Sequence, residues 1–165
     1  MHIRLERQSD QAAITEVTAQ AFAGVEHSDH TETRIISRLR ETGDLTLSLV
    51  AIEGDDLIGH VAFSPVTING QHQACYGLGP VSVRPDRQRQ AVGSALIQAG
   101  LQQLRSLNAG GCVVLGDPDF YRRFGFERDD RLHYAGAPPE YFMCLMLGAQ
   151  DVPLGRIEYA PAFTG

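Results

Sequence analysis

Residues 81–116 constrain the fold of this chain more than any other stretch. VSV (81–83) closes an alternating apolar run, RPDRQRQ forms a short basic turn, and a helix-forming run opens at about Ala91. That run continues to about Leu107 and sets Val92, Leu96, Gly100, Leu104 and Leu107 on one face. Asn108-Ala109-Gly110-Gly111 ends it, and CVVLG (112–116) follows as a continuous apolar run of the kind buried on both faces of a sheet. Strand, helix and strand in that order lay the two strands parallel. The segments before it demand the opposite. LTLSLVAI (45–52), LIGHVAFSPVTI (57–68) and a strand from about Gln73 to Val83 are joined by Gly54-Asp55 and Asn69-Gly70. Asn69-Gly70 tolerates positive φ at both positions, so an antiparallel meander is expected. The fold class is therefore α/β in the α+β sense, a mixed sheet with helices on its faces.

The remaining elements fit that frame. Residues 2–7 read as a strand. Ser9 or Asp10 can cap a helix carrying Ile14, Val17, Ala21 and Phe22 on one face. GVEHSDHT (24–31) is a polar loop, and a second amphipathic helix with Ile35, Ile36 and Leu39 stops near Gly43. DPDFYRRFGF gives a short helix from Asp117 that breaks at Gly125, and strands are expected around 141–147 and 155–159. No repeat or linker divides the chain, which reads as one domain over residues 1–165. Gly77, Gly79 and Pro80 interrupt the strand that ends at Val83, which suggests a bulge or splayed edge with free backbone.

Composition narrows the function. A net charge of −6 argues against a general nucleic-acid binder, and no run approaches the length of a membrane span. The N-terminus MHIRLERQSD has no apolar signal core, so the expected location is cytoplasmic. Cys75, Cys112 and Cys144 lie in apolar runs without a C-x-x-C pair and read as buried free thiols. Every cation is arginine. Arg84, Arg87 and Arg89 fall in one turn opposed only by Asp86, which points to a small anionic ligand there or to a solvated basic loop.

A helix N-terminus presents unpaired N–H groups and a partial positive charge. Around 88–94 these converge with Gly93, which allows close backbone approach, the Ser94 hydroxyl, and the charges of Arg87 and Arg89. Such a joint is a cradle for a phosphate or pyrophosphate. It is neither a P-loop nor a dinucleotide fingerprint, since both Gly-Lys-Ser/Thr and G-x-G-x-x-G are missing.

The order of elements and these residues resemble the GNAT superfamily of acetyl-CoA-dependent N-acetyltransferases. Its signature, Arg/Gln-x-x-Gly-x-Gly/Ala, follows the fourth strand. Spacing from Pro85 matches it to Gln88-Arg89-Gln90-Ala91-Val92-Gly93, with Ala91 in place of the first glycine. A second register, Gln90 to Ala95, fits the letters but starts two residues later. Leu78-Gly79-Pro80-Val81-Ser82-Val83 resembles the family's bulged strand. Gly116-Asp117-Pro118 and Phe120 to Phe126 resemble a bacterial subgroup with a DP-x-x-Y-x-x-FGF run.

The resemblance implies a mixed, mostly antiparallel central sheet with helices on both faces. It implies acetyl-CoA as co-substrate, held by Val81, Ser82, Val83, Gln88, Arg89, Gln90, Ala91, Val92, Gly93, Ser94 and Asp117, with no metal. It implies transfer of the acetyl group to a primary amine, small molecule or peptide, by direct attack in a ternary complex. Tyr121 matches the family's general acid, and a homodimer through the C-terminal strands is one arrangement the likeness suggests.

Acyl transfer needs a neutral amine, a stabilised carbonyl oxygen and a protonated leaving thiolate. Glu32, at the start of the second helix, is the expected amine-binding or proton-relaying residue, against the plainer reading of a first-turn glutamate favoured by the helix dipole. His27, Asp29 and His30 lack the ligand cluster of a metal site. Ser82 and Cys75 lack a recognisable His and Asp arrangement, so a covalent route is disfavoured. His60 and His72 read as ordinary strand residues. The acidic loop at 26–32 hints at a cationic acceptor. The competing reading is a GNAT-fold module that holds acyl-CoA and no longer transfers.

Overall fold

The computed structural model describes residues 1–26, 28–148 and 152–164. The strands are β1 (His2–Leu5), β2 (Leu47–Glu53), β3 (Asp56–Ile68), β4 (Gln71–Val83), β5 (Gly111–Leu115), β6 (Leu132–His133), β7 (Phe142–Met146) and β8 (Gly155–Glu158). The helices are α1 (Gln11–Phe22), α2 (Glu32–Thr42), α3 (Val92–Ser106) and α4 (Pro118–Tyr121). The strands form one eight-stranded sheet in the order β1-β2-β3-β4-β5-β7, with β8 joining β3 to β6. The pairing is mostly antiparallel. β4 and β5 run parallel from Cys75↔Gly111 to Leu78↔Val114, as the crossover through α3 requires.

Turn chemistry fixes the joints. Asn69 and Gly70 both take positive φ, 53° and 84°, and close the β3–β4 hairpin. Gly43 caps α2 at φ 79°. Two local expectations change. Helical geometry begins with a 3-10 turn at Gln8–Asp10, and the Asp10 carboxylate accepts from Arg7 N–H at 2.7 Å and from Arg4 at 2.7 Å instead of capping α1. α3 ends at Ser106, so Leu107 falls outside the apolar face and is exposed. β6 went unanticipated, because a two-residue strand has no periodicity to read. Among the described residues no helix is long and apolar enough to cross a membrane.

The chain packs as two compact units. The first holds Met1–Phe63 and Gly79–Gln102. Here α1 and α2 cover one sheet face through Ile14, Ile36 and Val50. α3 covers the other, where an added Cβ on Gly59 would lie 3.0 Å from Val92 and Leu96, and one on Gly100 would lie 2.2 Å from the Phe63 ring. The α1–α2 face also buries a polar chain. Arg40 on α2 donates to Glu6 at 2.8 Å, Ser48 donates to Glu6 at 2.8 Å, and Ser48 Oγ lies 2.7 Å from His60 Nε2. Ser48 spends its single proton on the carboxylate, so His60 must donate from Nε2. His60 Nδ1 is then a bare lone pair, buried without a partner. Burial lowers the His60 pKa to about 4, with Arg40 adding to the shift and Glu6 opposing it. His60 is therefore a neutral, fully buried core histidine, which its place in an alternating strand did not disclose.

The second unit holds Ser64–Leu78 and Gln103–Gly165. Its core joins Val66, Ile68, Val113, Phe142, Cys144 and Ile157. Cys75, Cys112 and Cys144 are free and buried, and burial raises all three thiols, Cys75 to about 12 and Cys144 to about 11.

Candidate functional site

β4 pairs with β5 only as far as Leu78. Beyond it the strand passes Gly79, at φ 138°, and continues through Pro80 to Val83 with no β5 partner among the described residues. This is the splayed edge expected from the glycines and proline. Val81 and Val83 are half-buried and flank Ser82, which is 1% exposed and donates to Thr18 Oγ1 on α1 at 3.3 Å. The Ser82 hydroxyl is thus committed to holding the strand on α1. Ser82 can meet a ligand through its backbone alone. Cys75 is equally closed off, its thiol protonated at any ordinary pH.

The turn after β4 delivers the donors. Among the described residues, nothing accepts from the backbone N–H groups of Gln88 to Ser94. The first paired N–H of α3 is that of Ala95, which donates to Ala91 O at 3.0 Å. Arg89 and Ala91 both take left-handed φ, 62° and 65°. Successive N–H groups in such a winding turn form an anion-binding concavity at a helix N-terminus. Gly93 has ordinary space for a side chain, since an added Cβ would lie 3.7 Å from Val83 and 4.0 Å from Val81. Among the described residues nothing requires a glycine there, and the position has room for a ligand. The donor set and that open space fit a pyrophosphate.

The basic turn divides unevenly. Arg84 donates to Asp86 at 2.6 Å, and Arg87 donates to Glu53 at 2.9 Å. Both guanidiniums are committed to carboxylates, which corrects the expectation that Arg87 adds free charge. Arg89 is exposed and makes no ion pair among the described residues. The Gln88 side chain donates to Val83 O at 3.1 Å and ties the turn to the strand. Gln90 is exposed, and Val92 is buried as the first core residue of α3.

Ala91 is not in helical geometry. The left-handed φ lies at the position where the first of the two registers puts glycine, so the structure favours that register on backbone grounds. An L-residue there costs about 1–2 kcal/mol and glycine costs about 0.5–1 kcal/mol in chain entropy. Ala91→Gly is expected to raise the melting temperature by roughly 1–4 °C. A fall on thermal denaturation would show that the strain is not there.

In the second unit, Asp117 caps α4, its carboxylate accepting from Asp119 N–H at 3.0 Å. Tyr121, on the same short helix, packs edge-on against Phe120 at 5.0 Å and Phe126 at 5.9 Å. Its ring rests on Gly116, where a Cβ would lie 2.3 Å from Cε2. Gly116 is therefore the floor that sets the ring, a role visible only in the folded chain. The Tyr121 hydroxyl has no hydrogen-bond partner among the described residues, and burial raises its pKa to about 12.

Glu32 opens α2, where its carboxylate accepts from the Ser28 hydroxyl. Ser28 Oγ in turn accepts from His30 N–H at 2.9 Å. Asp29 is held by Thr31, whose hydroxyl donates at 2.6 Å and whose N–H donates at 3.1 Å, and this keeps its carboxyl below the usual range. His27 lies outside the described residues. Among those described, no group of His, Cys, Asp or Glu could share a metal ion.

Comparison with known proteins identifies the family and the fold. Residues 2–128 match the family described as the acetyltransferase (GNAT) domain. The uncharacterized N-acetyltransferase YhbS of Escherichia coli K12 is 38% identical over 128 residues, 77% of this chain and 74% of that protein. The uncharacterized N-acetyltransferase YjhQ of the same strain is 33% identical over 95% of this chain and 91% of that protein. A GNAT family acetyltransferase from Brucella melitensis, solved in complex with acetyl-CoA, superposes with a TM-score of 0.88 at 48% identity, covering 98% of this chain and 97% of that one. E. coli YhbS in complex with CoA superposes with a TM-score of 0.91 at 31% identity, covering 99% and 92%. This chain belongs to the GNAT acetyltransferase family.

Proposed function

We propose that the chain is an acetyl-CoA-dependent N-acetyltransferase acting on a primary amine by direct attack in a ternary complex. The observation that carries this is the run of unpaired N–H groups from Gln88 to Ser94. The Brucella melitensis relative was solved with acetyl-CoA and YhbS with CoA, which supports the same ligand here. Those N–H groups and the Arg89 guanidinium would hold the pyrophosphate, and the backbone of Val81–Val83 would pair with the pantetheine arm. Asp117 is a further candidate contact.

Acetyl-CoA, when bound, supplies a thioester whose acyl carbon is open to a neutral amine. A backbone N–H of Val81–Val83 polarises the carbonyl oxygen. Glu32 binds the amine and relays the proton it loses as the C–N bond forms. Tyr121 gives its proton to the sulfur as the C–S bond breaks. The products are an acetamide and coenzyme A.

Thermal unfolding with acetyl-CoA tests the reading. At about a hundred times its dissociation constant the ligand should stabilise by ~2.7 kcal/mol, a shift of roughly 5–10 °C. Gly93→Ala should melt slightly higher than the parent, since alanine outranks glycine in a helix by about 1 kcal/mol. It should nevertheless lose most of the ligand-induced shift. Arg89→Glu should lose it too. A full shift in both variants would place the coenzyme elsewhere. Thiol release with a panel of amines then separates an enzyme from a module that binds and never transfers.

A further inference from the structure

β4 pairs with β5 only as far as Leu78, and backbone alternation decides which groups of Val81 to Val83 face the edge beyond it. In an antiparallel strand the N–H and C=O of one residue point to the same side, and those of the next residue to the other side. Two contacts fix the phase. Arg84 N–H donates to Ile58 O of β3 at 2.8 Å, and an added Cβ on Gly59 of β3 would lie 3.2 Å from Ser82 O. Ser82 and Arg84 therefore turn their backbone to β3. Val81 and Val83 turn theirs to the open edge. Ser82, its hydroxyl already given to Thr18, offers that edge nothing.

The open edge is not uniform. Gln88 Nε2 donates to Val83 O at 3.1 Å, so its amide stands in front of that carbonyl, where an incoming N–H would otherwise sit. The edge then presents the N–H and C=O of Val81 and the N–H of Val83. An amide arm laid along it as an extra strand can give its own N–H to one carbonyl, that of Val81. Gln88 belongs to both recognition surfaces. Its backbone N–H opens the run of unpaired donors, and its side chain closes the strand edge. A slip of one pairing step along β4 is two residues, or ~6.6 Å. That distance takes a thioester carbon away from any amine held in place.

We infer that Gln88 is a positioning residue: by capping Val83 C=O it confines the coenzyme's amide arm to pairing at Val81, and so fixes where along β4 the thioester lies. The inference rests on the acetyltransferase reading and adds to it the residue that sets the register of the co-substrate.

Gln88→Met keeps the length of the side chain and removes the donor. CoA and ADP are the binding probes, titrated into the full chain by calorimetry, with thiol release from acetyl-CoA as the activity. Freeing Val83 O gives the arm a second, unproductive register that gains one net hydrogen bond, roughly two- to tenfold in affinity. Gln88→Met should therefore bind CoA tighter than the parent by that factor. It should bind ADP, which has no amide arm, as the parent does. In turnover, kcat and KM for acetyl-CoA should fall together, with kcat/KM held within about twofold, because the ligand is bound more often and in the wrong place. Gln88→Arg restores donors toward Val83 O. It should return kcat and the ratio of CoA to ADP affinity to the parent's values, whatever its added charge does to both ligands alike. Unchanged CoA affinity and kcat in Gln88→Met would overturn the assignment. So would a joint weakening of CoA and ADP with a raised KM, which would make Gln88 a part of the cradle alone. If the parent binds CoA and releases no thiol with any amine, the transfer reading falls, and the comparison of CoA with ADP still decides the register. A parent that binds neither acetyl-CoA nor CoA would overturn both.

Discussion

Between pH 6.5 and pH 4 the protein is expected to lose about 3 kcal/mol of stability through His60 alone. Its pKa falls from 6.5 to about 4 on folding, chiefly through burial. The unfolded chain takes up a proton below pH 6.5, and the folded chain refuses it until about pH 4. The stability is therefore fully present above pH 6.5, is lost as pH falls through that window, and is level below it. The structure explains the refusal. Nε2 already donates to Ser48, so the incoming proton must sit on Nδ1, which is buried and faces no acceptor. Glu6 attracts the new charge and Arg40, with a smaller effect, repels it, so the pair that anchors α2 opposes itself and burial sets the direction. Glu6 itself is driven up by burial but held below its usual range by Arg40 and Ser48, and it weakens the fold only at lower pH. His60→Gln keeps a donor toward Ser48 and removes the titration. Chemical denaturation at pH 7.5 and pH 4.5 should show most of the parent's acid loss missing in the variant. An equal loss in both would assign it to the carboxylates.

Tyr121→Phe should lower turnover tenfold or more, within the ~10²–10⁴ typical of a general acid, and leave the acetyl-CoA thermal shift unchanged. The substitution is clean. Phenylalanine keeps the ring contacts with Phe120, Phe126 and Gly116, and the lost hydroxyl has no partner among the described residues. Melting temperatures should therefore agree within a degree or two. With its pKa raised to about 12 by burial, the phenol holds its proton across the whole working range, which suits the proposed role of a proton donor and not that of a base. No alkaline limb of the pH–rate profile should then belong to it. Unchanged turnover would remove Tyr121 from the mechanism.

Much of the frame was legible in the residues. Asn69-Gly70 called for a hairpin and Gly43 for a helix stop, and both hold because each depends on a φ that few residues accept. The alternation of residues 45–83 and the apolar face of Val92, Leu96 and Leu104 called for a meander and a crossover helix. The cradle was legible as a strand, turn and helix joint. Its backbone was not, because Arg89 and Ala91 are not residues that announce a left-handed φ. Arg87 looked like a ligand donor because Glu53, its partner at 2.9 Å, is distant in sequence.

The sequence by itself determined the longer elements, their order and the turns at Asn69-Gly70 and Gly43, since those follow from periodicity and dihedral preference within a few residues. Tertiary structure decided which polar groups are spent and which are free. Ser82 is spent on Thr18, and His60 on a chain through Ser48 to Glu6 and Arg40, while the N–H groups from Gln88 to Ser94 have no acceptor among the described residues. Those outcomes depend on which distant side chains share one dry volume, where an unpaired group costs most, and only the folded chain specifies that.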